Sequence, residues 1–298
     1  MQAEETTMKK TALIAIFFSI FCIVNLSWGE TDLKEIIKLA QSGNADAQLN
    51  LGFMYAQGRG VPQNSTEAMK WFKKAADQGL AEAQKTLGDI YYYGFDAPPN
   101  YSEAINWYKK AADQGQAYAQ FRLGSMYQDG KGVIQNYSEA MKWIKKAADQ
   151  GFAEAQTLLG EIYYHGQIVP QNYSEAIKLF KKAADQGLAY AQFSLGRMYY
   201  DGKGVPQNFA EGMKWFKKAA DQGDTYAQSY LGLMYANGQG VPKNFITAYV
   251  WWSIASGSGD ESAKKNLEIL SSKMTPQQTA QAQNEAAELW KRINNSKK

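Results

Sequence analysis

A block of 36 residues recurs along this chain with almost no slippage, and that period constrains the fold more than any single residue does. The cleanest copy runs from Leu188 to Gly223, LAYAQFSLGRMYYDGKGVPQNFAEGMKWFKKAADQG. Its Ala-Gln pair returns at Ala47-Gln48, Ala83-Gln84, Ala119-Gln120, Ala155-Gln156, Ala191-Gln192 and Ala227-Gln228. The closing Ala-Ala-Asp-Gln-Gly ends at Gly79, Gly115, Gly151, Gly187 and Gly223. A fixed period of this size specifies units that bury their apolar faces only against their neighbours, so the chain is expected to grow by stacking rather than around one central core.

Within one unit the pattern predicts two helices. Ala47, Leu51, Met54 and Tyr55 follow helical spacing, and Gly58 is placed to stop that helix in a left-handed conformation. After the turn Gly58 to Gln63, Asn64 and Glu67 read as an Asn-x-x-Glu capping box that opens the second helix. Asn100/Glu103, Asn136/Glu139, Asn172/Glu175 and Asn208/Glu211 keep the pair, whereas the intervening serine becomes Ala210, so asparagine is the expected cap. The same role accounts for the Asn-Tyr-Ser triplets at Asn100, Asn136 and Asn172 without glycosylation. In the second helix Ala68, Trp71, Phe72, Ala75 and Ala76 form the buried stripe, and Lys70, Lys73, Lys74 and Asp77 form a solvated outer face. Gly52, Gly88, Gly124, Gly160, Gly196 and Gly232 sit in mid-helix, where glycine is less favourable than alanine by ~1 kcal/mol. Accepting that penalty at one register in every copy implies close helix-to-helix approach.

The ends differ from the repeats. Lys9 and Lys10 precede the apolar run TALIAIFFSIFCIVNL, and Ser27-Trp28-Gly29 offers small residues for cleavage after Gly29. Residues 1–29 therefore read as an export signal, with Met8 as the natural start. The apolar run is shorter than the ~20 residues of a spanning helix, so no integral span is expected after cleavage. Cys22 is the only cysteine and lies in this segment, which leaves the mature chain without disulfides, a thiol nucleophile or thiolate metal ligands. A formal charge of +3 is too small to point to nucleic acid.

The pattern A-x-A-Q-x-x-L-G-x-[MI]-Y, then G-x-G-V-P-Q-N, then E-A-x-K-W-[FYI]-K-K-A-A-D-Q-G resembles the Sel-1-like repeat family, a branch of the tetratricopeptide-like solenoids. The resemblance implies an all-α, right-handed superhelical solenoid of antiparallel helix pairs, with six copies over residues 44–259. Residues 30–43 then form an N-terminal capping helix and residues 260–298 the C-terminal capping helices. Copy two departs in its turn, Phe95-Asp96-Ala97-Pro98-Pro99, and copy six in its second helix, where Tyr249-Val250-Trp251-Trp252-Ser253-Ile254 loses the lysines. Thr275-Pro276-Gln277-Gln278 opens the last helix with an N-cap, a proline at N1 and a Gln at N3. The resemblance also implies that first helices line a concave surface where partners dock.

Function is expected where the copies disagree. In the first helix the variable positions 46, 49, 50, 53, 56 and 57 define one continuous face. Tyr118, Phe121 and Arg122 in copy three, Tyr190, Phe193, Arg197 and Tyr200 in copy five, and Tyr226 and Tyr230 in copy six supply the aromatic and arginine composition of interface anchors. The competing account is that the tyrosines stack between neighbouring repeats. A second period of 72 residues relates copies two and four (GDIYYYG, GEIYYHG) and three and five (GSMYQDGKG, GRMYYDGKG), read either as duplication of a two-repeat block or as an alternating groove.

The expected function is a non-catalytic protein-interaction scaffold of the bacterial cell envelope, exported to the periplasm or secreted, that binds a protein or peptide partner in the concave groove. The alternatives are a peptidoglycan- or glycan-binding envelope module and, more remotely, a hydrolase built on carboxylates such as Asp89 and Glu161. His165 is the only histidine, so neither a His-based metal cluster nor a Ser-His-Asp triad is available, and no cofactor is expected.

Overall fold

The computed structural model describes residues 33–295, so the segment 1–29 expected to be an export signal, with Cys22, lies outside the described residues. All fifteen elements among the described residues are helices. A lone helix α1 (Leu33–Gln41) precedes six pairs. These are α2 (Ala45–Gln57) with α3 (Ser65–Asp77), α4 (Ala81–Tyr93) with α5 (Tyr101–Asp113), α6 (Ala117–Asp129) with α7 (Tyr137–Asp149), α8 (Ala153–His165) with α9 (Tyr173–Asp185), α10 (Ala189–Asp201) with α11 (Phe209–Asp221), and α12 (Thr225–Asn237) with α13 (Phe245–Gly257). Helices α14 (Glu261–Ser271) and α15 (Pro276–Asn295) follow. The chain splits into two compact units, unit 1 ending at Ala147 and unit 2 beginning at Ala148.

Local chemistry sets the helix ends. Gly58 closes α2 at φ +70° with its N–H on the Met54 carbonyl, a conformation that side chains with a Cβ rarely adopt. Copy two has no glycine at the second turn position, and Asp96 takes φ +46° there instead, as a short polar side chain can. Asn64 accepts from Glu67 N–H at 3.1 Å, and Asn100, Asn136, Asn172 and Asn208 repeat that bond to the N–H three residues on. The reciprocal half of the expected capping box does not form in these copies. The Asn64 N–H donates instead to the Tyr55 carbonyl of the preceding helix at 2.9 Å, and Asn100 N–H donates to Tyr91 in the same way. This leaves Glu67, Glu139, Glu175 and Glu211 to pair with Lys70, Lys142, Lys178 and Lys214 one turn on. A complete box is present at α15, where Gln278 N–H donates to Thr275 Oγ1 and Thr275 N–H to Gln278 Oε1.

Each pair closes at its mid-helix glycine. A Cβ on Gly52 would stand 2.6 Å from the Phe72 ring, on Gly124 2.6 Å from Ile144 Cγ1, and on Gly160 2.8 Å from Phe180 Cε1. Phe72, Tyr108, Ile144, Phe180 and Phe216, which meet these glycines, are fully buried, and an aromatic side chain buried this way stabilises by ~1.5–3 kcal/mol.

The repeating glutamines tie one pair to the next. Gln84 is 5% exposed, donates Nε2 to the Ala76 carbonyl at the end of α3, and accepts at Oε1 from Gln114 Nε2 at 2.8 Å. Gln114 also donates to the Gly79 carbonyl of the preceding repeat. In unit 2 the same bonds join Gln156 with Gln186 and Gln192 with Gln222. A helix end would otherwise bury unsatisfied carbonyls, and these amides satisfy them. The series stops at Gln228, whose Oε1 is buried without a partner because Ser258 stands where the other copies have glutamine.

The missing lysines of copy six have a structural reason. Val250 and Ile254 occupy the registers of Lys70 and Lys74, and α15 covers them with Ala282, Ala286 and Ile293 in one apolar cluster.

Three stability outcomes follow. Gly160→Ala should destabilise by up to about 2 kcal/mol in urea denaturation, as overpacking of ~1–3 kcal/mol is set against a helix-propensity gain of ~1 kcal/mol. Gly257→Ala, whose added Cβ would meet only Trp290 at 3.8 Å, should be neutral or stabilising, which separates crowding from propensity. Ser258→Gln supplies the donor that Gln228 lacks and should raise stability by ~1 kcal/mol.

Candidate partner-binding face

The first-helix residues expected to bind a partner fall into one cluster in each unit, and their surroundings differ. In unit 1, Asp89 of α4 is 2% exposed and accepts from the Tyr108 hydroxyl at 2.6 Å and from the Tyr118 hydroxyl at 2.9 Å. Tyr118 of α6 is therefore a link from repeat three to repeat two. Phe121 and Arg122 are half-buried. Arg122 lays its guanidinium 4.0 Å from the centroid of Tyr92, with Nε and Nη2 buried and without hydrogen bonds. Lys131, from the turn of repeat three, donates to the Tyr92 hydroxyl at 3.2 Å and pairs with Asp129 at 3.1 Å.

Unit 2 repeats part of this at the 72-residue offset. Lys203 donates to the Tyr164 hydroxyl at 2.9 Å, and Tyr164 meets Tyr173 edge to face at 5.3 Å, as Tyr92 meets Tyr101. Glu161 stands where Asp89 does, with His165 Nε2 at 3.0 Å and Ser194 Oγ at 3.5 Å. Burial and then the neighbouring Glu161 carboxylate push the Tyr190 hydroxyl up to about 12. Arg197 pairs with Asp201 at 3.5 Å and lies 5.6 Å from the Tyr164 centroid, so it reaches the equivalent ring from a register three residues later than Arg122 does.

Phe193 is buried at 8% exposure, with the rings of Tyr190, Phe216, Tyr226 and Tyr230 within 6.3 Å. Tyr230 is half-buried on Phe216 at 4.9 Å and on Tyr200 at 5.4 Å. Tyr200 in turn donates to Gln239 Oε1 of the next turn at 2.9 Å. Stacking between repeats thus occupies Tyr118, Phe193, Tyr200 and Tyr230. Tyr190 at 44% and Tyr226 at 64% are exposed, and the Arg197 side chain is 41% exposed. The variable positions are not all surface in the first copy either, since Leu49 and Phe53 pack with Phe72, Leu87 and Ile90.

Lys131, Lys203 and Gln239 were not singled out by the sequence, although each lies 39 residues beyond the tyrosine it holds. That fixed offset is the signal that could have found them. Asp89 and Glu161 are separated by the unit boundary, and among the described residues no three His, Cys, Asp or Glu side chains come together as a metal site. The outer lysines are engaged as well: Lys74, Lys110, Lys146 and Lys218 lie 3.8–4.4 Å from the ring centroids of Trp71, Trp107, Trp143 and Trp215.

The model of the Sel1 repeat matches six consecutive segments, residues 45–80, 81–116, 117–152, 153–188, 189–224 and 225–260. The chain belongs to the Sel1 repeat family. Its Sel1 repeats resemble a solved Sel1 repeat protein from Oxalobacter formigenes at 36% identity and a TM-score of 0.71, covering 79% of this chain and 68% of that one. A protective antigen of uropathogenic Escherichia coli with an SLR fold aligns at 29% identity and a TM-score of 0.58, over 87% of this chain and 65% of the antigen. The secretory immunoglobulin A-binding protein EsiB of Escherichia coli O6:H1 is 39% identical over 69 residues, which is 23% of this chain. The matched stretch spans 14% of EsiB's length.

Burial holds the Asp89 carboxyl above the usual carboxylate range, against the opposing charge of Lys85 and the bonds from Tyr108 and Tyr118. A folded-state pKa raised above the unfolded value, ~3.9, favours the protonated acid in the fold. This group's contribution is then complete below the unfolded value and is lost as pH rises through the raised one. The stability of the natural chain relative to Asp89→Asn should therefore fall across that window in urea denaturation at stepped pH. A difference that grows with pH would mean that Asp89 is held as the anion.

Proposed function

We propose that this chain is an exported, non-catalytic scaffold of the bacterial cell envelope that docks a protein or peptide partner on the first-helix face of unit 2. Sel1-repeat proteins are generally protein-interaction scaffolds, which is the frame for this reading. The observation that carries it is the exposure of Tyr190 and Tyr226 beside the buried Phe193, with Arg197 on the same helix as Tyr190. Two broad rings held from beneath by a third lose little side-chain freedom when a partner covers them, and arginine beside aromatic rings is the composition of binding hot spots. Phe193 supports the site from below rather than touching the partner.

Export rests on the signal-like residues 1–29, and relatives described as a secretory immunoglobulin A-binding protein and a protective antigen support it. Among the described residues no helix is long and apolar enough to cross a membrane.

The combined variant Tyr190→Ala, Arg197→Ala, Tyr226→Ala should lower partner capture in envelope crosslinking by at least about tenfold, with helicity by circular dichroism unchanged. Capture undiminished in that variant overturns the assignment of this face.

A further inference from the structure

A cleft along the C-terminal helix lies away from the first-helix face. It has a volume of ≈ 400 Å³ and is walled by Thr247, Val250 and Trp251 of α13 and by Glu285, Glu288 and Leu289 of α15, with Arg292 at its rim. Its place in the repeat register explains why it is open. In four other copies the equivalents of residues 247 and 250 are a glutamate and a lysine that pair across one turn, as Glu67 and Lys70 do at 3.2 Å. Copy six has Thr247 and Val250 instead, so both long side chains are gone from above the tryptophan of the same register, Trp251.

Helix α15 restores carboxylates to this place without restoring a lysine. Glu285 accepts from Gln281 at 2.9 Å, and Glu288 stands one turn further on. Arg292 carries the only positive charge on the cleft wall, and its guanidinium faces Asp221 of α11 at 4.0 Å. Glu285 and Glu288 line the same cleft without an ion pair to that guanidinium. Trp251 is 5% exposed, and among the described residues its indole N–H has no hydrogen-bond partner. Elsewhere in the array this tryptophan register holds a lysine against the ring, with Nζ 4.1 Å from the Trp71 centroid and 3.9 Å from that of Trp215. In copy six that lysine is Ile254, which is buried with Ala286 beneath α15.

We infer that the cleft between α13 and α15 is a binding site for an alkyl-ammonium group, the chemistry of a lysine side chain. The alkyl stem lies along Val250 and Leu289, the ammonium sits between Glu285 and Glu288, and the indole N–H of Trp251 serves a carbonyl on the same ligand. Long cationic side chains bury their stems on apolar surface and keep the charged head among acceptors, and charge-assisted bonds are the stronger ones. This site does not depend on the face proposed above for the partner.

The test uses the whole exported chain, titrated with blocked lysine amide (N-acetyl-lysine methylamide), its uncharged norleucine analogue, and 1,5-diaminopentane. The readout is the indole N–H signals in ¹H–¹⁵N spectra, the Trp251 signal being assigned by its loss in Trp251→Phe, with calorimetry as a second measure. Saturable movement of the Trp251 signal by lysine amide, absent with the norleucine analogue and at least about fivefold weaker in Glu285→Gln/Glu288→Gln, supports the site. Both glutamates are exposed, so the double variant is expected to keep its fold. Tighter binding of lysine amide than of the diamine assigns the site to a peptide lysine, and the reverse order to a free diamine. No saturable movement, equal binding of norleucine, or unchanged affinity in the double variant overturns the inference. The Tyr190/Arg197/Tyr226 variant should bind lysine amide normally, so failure of the docking face and failure of this cleft are read separately.

Discussion

Each repeat is drawn shut where a glycine on the first helix admits a bulky side chain from the second, and most of the other contacts depend on that approach. With the Phe72 or Phe180 ring seated against bare backbone, the two helices come close enough for the small residues of the second helix, Ala68, Ala75 and Ala76 among them, to be buried completely. The same approach carries the second helix's end to the glutamine of the following first helix. Gln84 can then meet both the Ala76 carbonyl and the Gln114 amide. The energetics separate into two kinds: apolar burial inside a pair, which is non-directional, and buried amide bonds between pairs, which fix register.

The helices themselves were legible from the period, because their ends are marked by residues with local reasons to be there. Asn64 caps the N–H of Glu67, and Gly58 takes the left-handed turn, whatever the rest of the chain does. The glycine close approach was legible too, from the repetition of one penalty at one register. Less visible was the partner that each polar group chooses once the helices are packed. The Asn64 N–H finds the Tyr55 carbonyl because tertiary structure brings it there, so Glu67 turns outward to Lys70. At Thr275 and Gln278 no such carbonyl competes for the cap, and the local motif forms in full.

The candidate face shows the same limit. Variation among copies marks these positions off from the recurring ones, but it does not tell a surface residue from a packed one, since Phe53 and Phe193 pack on Phe72 and Phe216 of their own repeats. Phe193 and Asp89 vary because each fits its own neighbour: Phe193 beneath Tyr226 and Tyr230, Asp89 beneath two tyrosine hydroxyls. Exposure at Tyr190 and Tyr226 follows from which neighbours sit beside them, and that requires the structure. The outer lysines are quieter than their number suggests, since four pair with glutamates and four others lie against tryptophan rings.

The ties between neighbouring repeats also limit how such an array can change length. A repeat protein is usually thought of as extendable one unit at a time. Removing residues 116–151 alone would bring Glu154 to the register of Tyr118 and Leu158 to that of Arg122, so the buried Asp89 would meet a second carboxylate in place of a hydroxyl. Removing residues 116–187 would instead bring up Tyr190, and Lys203 would arrive in the register of Lys131 beside Tyr92. The block of 36 residues is therefore the structural repeat, whereas loss of the 72 residues 116–187 keeps a hydroxyl in the register that faces Asp89.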